Sequence, residues 1–391
     1  NINPGNILVI TFTKAAAKEM KERFNKITQG VYSPCTFGTF HSVFFSMIRA
    51  AYGYTANNVL SEDIKFKLIK EIIIKLNLEY EDEEEFILNI IGEISYIKGE
   101  MIKPEHYYSS NCGENEFRKI AELYEYKIRQ LNKMDFDDML VYCYELLKER
   151  PDILAKWQDK YQYILVDEFQ DINKIQYEII KLLGKPRNNL FIVGDDDQSI
   201  YSFRGAKPEI MLNFNQEYQA SKTILLDINY RSSRDIVNSA LKLIGNNQSR
   251  YNKEIVTECD NLYPVDIGCV KNQGEECDLI IEHIRSYLNK GIPLSDMAVI
   301  CRVNTQPRRL INKLMEYNIS FKVRDSIPNI YDHFVSKNIL DYIHAALGNR
   351  DRSLFLRIMN KPTRYLNRDL LCDPIVDFEE IKKLCEDKKW A

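Results

Sequence analysis

The stretch ILVDEFQD, Ile164 to Asp171, sets three carboxylates directly behind a short apolar run. A second stretch, LFIVGDDDQSIYSFRGA from Leu190 to Ala206, repeats the design and adds a glutamine, aromatics and an arginine. Apolar runs this short are the signature of strands buried on both faces of a parallel sheet. In open α/β sheets, ligands bind beyond the carboxyl ends of the strands, which is where these acids would stand. Other strand-like runs, Ile7 to Ile10, Thr223 to Leu226 and Met297 to Ile300, alternate with helical ones such as Lys14 to Ile27. The alternation predicts an α/β fold with two parallel sheets, the second starting at TILLDINYRS. Phe37 to Ala51 reads as a turn bearing Thr and His that leads into an apolar helix.

Between residues 52 and 133 strand signals vanish and amphipathic segments such as EDIKFKLIKEIIIKLNL and EEEFILNIIGEISYIKG dominate. They predict an all-α insertion, with the acidic run Glu79 to Glu85 as the solvated start of one helix. MDFDDML at Met134 returns the chain to its parent domain.

With 391 residues, two or three domains are expected. A composition 45% hydrophobic and 28% charged, with 12 Pro and 15 Gly, is that of a globular protein. The net charge of −4 excludes a basic coat, so nucleic-acid binding would need a local groove. Nine scattered cysteines without a C-x-x-C pair point to a reduced cytoplasmic protein without structural zinc. No run approaches the ~20 apolar residues that a membrane-crossing helix needs, and no membrane partner is expected.

Phosphoryl transfer needs an acid for Mg²⁺ and a polar group for the attacking water. Asp167 suits the metal, through its water shell, and Glu168 suits the general base. Gln198, on the neighbouring strand, would sense the γ-phosphate. The competing structural reading makes Asp167 and Glu168 mere caps of the helix that follows Asp171; the second acid cluster weighs against it.

VITFTKAAAKEMKER, GTFHS, DFDDML, DEFQD, GDDDQSIYSFRGA and LDINYRSS, in this order along the chain and spread from Ile7 to Ser233, together resemble the UvrD/Rep/PcrA family of superfamily 1 DNA helicases. The likeness extends more loosely through AVICRVNTQPRRLINKLMEYNISFKV and NKPTR. It implies ATP and Mg²⁺ as cofactors, with Asp167 and Glu168 as the Walker B acids and Gln198 as the γ-phosphate sensor. Tyr230 would stack on adenine and Arg231 would reach the γ-phosphate. Phe12, Tyr201 and Phe203 match positions that touch bases, and Arg204, Thr39 and His41 match backbone or base contacts. Stacking on such rings contributes roughly 1–3 kcal/mol per base. Without the likeness, Phe12 reads equally as core, and Tyr230 and Arg231 as surface residues. Phe203 stands where relatives commonly carry Trp.

The implied architecture is a RecA-like motor domain over residues 1–220 with the all-α insertion over 52–133. A second, partial RecA-like domain would follow over 221–366, and the start of a helical subdomain over 367–391. The implied activity is ATP-dependent 3′-to-5′ movement on single-stranded DNA and at single-strand/duplex junctions, in repair or replication. The phosphate cradle G-x-x-x-x-G-K-[ST] does not occur, nor do the later motifs of the second motor domain. The expectation is therefore a chain cut short at both ends that does not hydrolyse ATP alone. Alternatives are a subunit of a helicase–nuclease complex and a non-catalytic DNA-binding protein that lost its phosphate loop.

Overall fold

Runs without a charged side chain form the sheet, and their periodicity decides which faces are buried. The computed structural model describes residues 2–78, 80, 82–202, 205–259, 264–324, 329–364, 366, 370–371 and 373–387. Strands β1 (Ile7–Thr11), β2 (Thr36–Thr39), β3 (Tyr163–Val166) and β4 (Leu190–Ile192) form one parallel sheet in the order β2-β1-β3-β4. Register pairs Thr11 with Thr39, Ile10 with Val166 and Val166 with Ile192. All four carboxyl ends therefore lie along one edge.

Helix α1 (Lys14–Ile27) has the predicted bounds and is capped by Thr13, whose Oγ1 accepts from Ala16 N at 3.0 Å. Residues 37–39 correct the expected turn. They are strand, paired beside β1, and α2 (Phe40–Tyr52) starts directly behind them. Helices α6 (Phe136–Glu149), α7 (Pro151–Lys160) and α8 (Lys174–Gly184) complete the layers. Leu8, Ile10, Ile164 and Val166 from the strands meet Phe40, Phe44, Leu140 and Ile179 from the helices in one fully buried core.

Helices α3 (Glu62–Lys75), α4 (Glu83–Glu100) and α5 (Glu114–Gln130) close on a second core of Ile69, Ile72, Ile90, Ile94, Phe117 and Tyr124. The acidic run behaves as a helix start: Asp82 caps α4 and Glu83, Glu84 and Glu85 fill its first turn. The chain leaves and rejoins the sheet layers through adjacent backbone bonds, Leu60 N to Met134 O and Met134 N to Asn58 O, both 2.8 Å.

A buried ionic network joins these helices to α6. Lys65, only 2% exposed, meets Asp135 at 3.2 Å and Asp137 at 3.1 Å. Lys98 meets Asp138 at 2.6 Å, Glu125 at 2.7 Å and Asp135 at 3.2 Å, while the Tyr124 hydroxyl donates to Asp135 at 2.8 Å. Burial works against the Asp135 charge, but Lys98 and Lys65 hold its carboxyl well below the usual range. Asp138 moves the other way, raised by burial and by the neighbouring Asp135 charge. Buried charges persist only when paired this completely.

Beyond the sheet lie α9 (Pro208–Leu212), α10 (Phe214–Glu217), β5 (Ile228–Asn229), α11 (Arg234–Ile244) and β6 (Val256–Thr257). β5 and β6 pair in parallel as a separate two-stranded sheet. The predicted strand at 223–226 belongs to no ladder among the described residues, and Ile224 and Leu226 stand about 80% exposed (78% and 81%). The chain divides into two compact bodies, Asn1–Val265 and Asp266–Ala391. The first reaches past residue 220 because Arg250 and Lys253 grip Asp195, Asp196 and Asp197.

The second body contains α12 (Gln273–Asn289), α13 (Arg308–Glu316), α14 (Phe334–Ala346), α15 (Arg352–Ile358) and α16 (Phe378–Asp387). α12 and α13 pack through Cys277, Ile281, Leu310 and Leu314, and Arg357 forks onto Asp341 at 2.7 and 2.8 Å. The predicted strand Met297 to Ile300 also forms no ladder among the described residues. An apolar run becomes strand only where a neighbour accepts its hydrogen bonds, and Ile300 is left 93% exposed.

Candidate functional site

The carboxyl edge of the four-stranded sheet collects Phe12, Thr39 and His41, Asp167 and Glu168, and the turn from Gly194 to Gln198. Asp167 extends the ladder, its N–H donating to Ile10 O at 2.9 Å. Glu168 then takes a left-handed conformation, φ 53° and ψ 42°, which costs a non-glycine residue roughly 1–2 kcal/mol. That bend lets Phe169 N reach Val193 O at 2.9 Å and leaves the Glu168 side chain exposed at the rim. Strain of this kind is kept where a side chain must point somewhere particular.

Gln170, 1% exposed, ties the two acidic stretches together. Its Nε2 donates to Glu168 Oε2 at 2.8 Å, and its Oε1 accepts from Asp195 N at 3.0 Å. Gly194 makes room for this bridge, since a Cβ there would sit 2.6 Å from Gln170 Oε1. Sequence reasoning passed over Gln170. The available signal was an amide placed between carboxylates, a group that can donate to one acid and accept from the next turn.

Burial and the adjacent Glu168 charge raise the Asp167 carboxyl above its ordinary value, and the same two causes push Asp171 up to about 6. The Thr11 hydroxyl makes no hydrogen bond of normal geometry, although its proximity draws Asp167 partly back down. Asp171 Oδ1 and Ser199 Oγ are likewise buried polar atoms without a partner. Crowded carboxylates with no ion pair to a cation among the described residues suit a hydrated divalent ion shared with an anionic ligand. No cluster of three or more His, Cys, Asp or Glu with metal-binding geometry occurs among the described residues. Such an ion would take Asp167 and its waters, not a protein cage.

The second acid cluster is organised differently from expectation. Asp195, Asp196 and Asp197 are neutralised by the chain's own cations. Lys253 Nζ lies 2.5 Å from Asp195 and 3.2 Å from Asp197 and also pairs with Asp196. Arg250 forks onto Asp197 at 2.7 and 2.6 Å. Gln198 is exposed and donates through Nε2 to Asp195 Oδ2 at 2.8 Å. Asp167, Glu168 and Gln198 thus rise from the ends of adjacent strands at one edge. Arg250 and Lys253 lie over fifty residues from their partners, and local reading missed them.

Phe12 is half-buried against Phe40, ring centroids 5.1 Å apart, at the margin of the sheet core. Thr39 is buried and caps α2, accepting from Ser42 N at 3.2 Å. His41 meets Phe136 edge-on at 5.7 Å; burial lowers its pKa, and Asp137 pulls it partly back. Tyr201 is 41% exposed. Phe203 and Arg204 lie outside the described residues. Tyr230, 70% exposed, and Arg231 stand on the loop after β5, and neither has a hydrogen bond or ion pair to the acidic edge among the described residues. Asn229 shapes that loop by accepting from Arg231 N at 2.9 Å and Ser232 N at 2.8 Å, an Asx turn that the sequence reading left unremarked.

A family model described as the UvrD/REP helicase N-terminal domain matches residues 1–219, and one described as the UvrD-like helicase C-terminal domain matches residues 224–383. The chain belongs to the UvrD/REP helicase family. This helicase chain is 35% identical to DNA helicase II of Haemophilus influenzae over 374 residues, covering 93% of the chain and 51% of that relative. It is 33% identical to the ATP-dependent DNA helicase PcrA of Staphylococcus aureus over 371 residues, 93% of the chain and 50% of that protein. DNA helicase II of Escherichia coli is 31% identical over 371 residues, with 93% and 51% covered. The helicase chain spans about half the length of the curated relatives it matches. Among the described residues, no helix is long and apolar enough to cross a membrane.

Proposed function

We propose that this chain is the core of an ATP-dependent 3′-to-5′ DNA helicase in which the acidic edge of the first sheet faces the nucleotide's phosphates. The observation that carries this reading is the Gln170 bridge, which fixes the rim carboxylate Glu168 relative to the turn bearing Gln198. Asp167 would hold Mg²⁺ through water, and the ion would supply charge neutralisation on the β- and γ-oxygens. Glu168 would take the proton of the attacking water, a role suited to an exposed carboxylate held at a defined angle. Gln198 would bond the γ-phosphate, Tyr230 would stack on adenine, and Arg231 would fork onto phosphate oxygens.

DNA would lie against Phe12, Thr39, His41, Tyr201, Phe203 and Arg204. Of the described members of that set, Tyr201 has the exposure that stacking requires, whereas Thr39 and Phe12 already serve the cap and the core. In this reading the sheet of β1–β4 is a RecA-like motor, helices α3–α5 are an insertion within it, and a second, partial motor domain follows. Residues 1–391 contain no G-x-x-x-x-G-K-[ST] loop, so hydrolysis is assigned to the full-length protein and not to this stretch alone. The test is Glu168→Gln in the full-length protein. DNA-stimulated ATP turnover should fall by about 100-fold or more, with single-stranded DNA affinity retained. Undiminished turnover would remove Glu168 from the chemistry.

A further inference from the structure

Arg250 and Lys253 were assigned no role by motif, yet they make the densest set of charged contacts on the turn that carries Gln198. We propose that Arg250 and Lys253 are positioning residues that set Gln198 by gripping Asp195, Asp196 and Asp197, and that link it to the strand pair bearing Tyr230 and Arg231. The inference rests on the reading of Gln198 as the phosphate-facing group.

The contacts form a relay. Gln198 Nε2 is bonded to Asp195 Oδ2, while the other carboxyl oxygen of Asp195 is held by Lys253 at 2.5 Å and accepts from Asp197 N at 3.2 Å. Asp195 therefore cannot turn without breaking a contact to Lys253 or to its own turn. Arg250 pins Asp197 with both arms of its guanidinium, the planar geometry that best resists rotation of a carboxylate. Tyr251, between the cations, donates its N–H to Asp196 Oδ2 at 2.8 Å and its hydroxyl to Met211 O at 3.0 Å. The Lys253 side chain is 9% exposed, and its pairs with Asp196 and Asp197 are more shielded from solvent than the one with the half-exposed Asp195. Arg250 and Lys253 hold Asp197 below the ordinary carboxylate range, and Lys253 and Gln198 outweigh burial to do the same for Asp195.

The far end of the relay is covalent. Three residues after Lys253 the chain enters β6, a span of about 10 Å. Val256 and Thr257 pair with Ile228 and Asn229, and Thr257 Oγ1 donates to Ser232 O at 2.7 Å. The loop of Tyr230 and Arg231 is thus anchored to the same segment that grips the glutamine turn. A side chain that shifts on Gln198 when a phosphate departs would load the ion pairs and, through them, β6.

The test uses the full-length protein and measures DNA-stimulated ATP hydrolysis, single-stranded DNA affinity and thermal midpoint. Lys253→Met should lower kcat by about 10- to 100-fold, the penalty of a displaced reacting group, while KM for ATP changes less than about threefold. Gln198→Ala should do the same, and the double variant should be no slower than Gln198→Ala alone, because both changes remove one device. Lys253→Arg, which keeps the charge, should recover most of the loss. A Lys253→Met kcat within twofold of the parent, or losses that multiply in the double variant, would overturn the positioning role. If Lys253→Met fails to fold, Arg250→Lys takes its place, since it keeps the charge but loses the fork; an unchanged kcat there also overturns the role. If Gln198→Ala leaves kcat unchanged, the phosphate reading itself fails and this inference goes with it.

Discussion

Replacing Gln170 by glutamate inverts the bridge between the two acidic stretches while hardly altering its volume. The native amide donates to Glu168 Oε2 at 2.8 Å and accepts from Asp195 N. A carboxylate keeps the acceptor but sets two negative charges at that separation. Their repulsion is about 1.5 kcal/mol at the dielectric of water and about 6 kcal/mol at an effective dielectric of 20. The true figure lies between, because Glu168 is exposed and Gln170 is buried. At about 1.4 kcal/mol per pKa unit, repulsion alone lifts the introduced carboxyl by roughly one to four units from its ordinary ~4.3. Burial lifts it further, so it holds its proton near neutrality and then donates to Glu168 much as the amide does. A pKa raised by folding gives stability that is complete below the unfolded value and lost as pH rises through the folded one. The Gln170→Glu protein should therefore approach the parent's stability near pH 5 and fall behind it by several kcal/mol near pH 9. Urea unfolding of both proteins across pH 5–9, followed at the first body, measures the gap. A gap constant within about 0.5 kcal/mol would refute the bridge as described, since that is the size of a surface substitution.

Asp135→Ala removes a helix cap worth about 1 kcal/mol and opens a buried network worth about 3–5 kcal/mol, lowering the first body's melting point by about 10 °C; a shift under about 3 °C in calorimetry would show the network to be dispensable. His41, its pKa lowered by burial, should titrate below the ordinary 6.5 in NMR, so that stability is full above that value and declines on acidification through the folded pKa. A midpoint at or above 6.5 would contradict its packing against Phe136. Gly194→Ala drives a methyl into Gln170 Oε1 and should cost about 1–3 kcal/mol, and less in a Gln170→Ala background, where the tight contacts to Met211 Sδ and Phe169 N remain. Equal costs in both backgrounds would mean that the glycine serves another purpose.

Much of this was legible in the chain itself. Lys14 to Ile27 has the bounds its pattern predicts, and the apolar run that opens ILVDEFQD is strand, because local preference and buried packing agree there. The placement of Asp167 and Gln198 at neighbouring strand ends also follows from apolar runs that stop at acids. Thr36–Thr39 was not legible as strand, since TFGT has too little apolar character to declare itself without β1 alongside. Residues 223–226 and 297–300 failed in the opposite sense: they have the composition of strands but no ladder partner among the described residues. The ion pairs of Arg250 and Lys253 depend on contacts across more than fifty positions, which no local pattern encodes. Thr39 shows a residue type that serves two readings equally, hydroxyl to a ligand or hydroxyl to a helix cap, and only the fold displays the second.

Helices α3–α5 depart and come home through neighbouring hydrogen bonds at Leu60 and Met134, so the gap that a short turn would have to span is small. Excision would nonetheless be far from neutral. The cations Lys65 and Lys98 would go with the removed segment, while Asp135, Asp137 and Asp138 would remain behind on α6 with no counter-charge. A trimmed chain would leave that carboxylate trio clustered on the newly uncovered face of α6, where exchanging it for uncharged residues would relieve the repulsion of like charges.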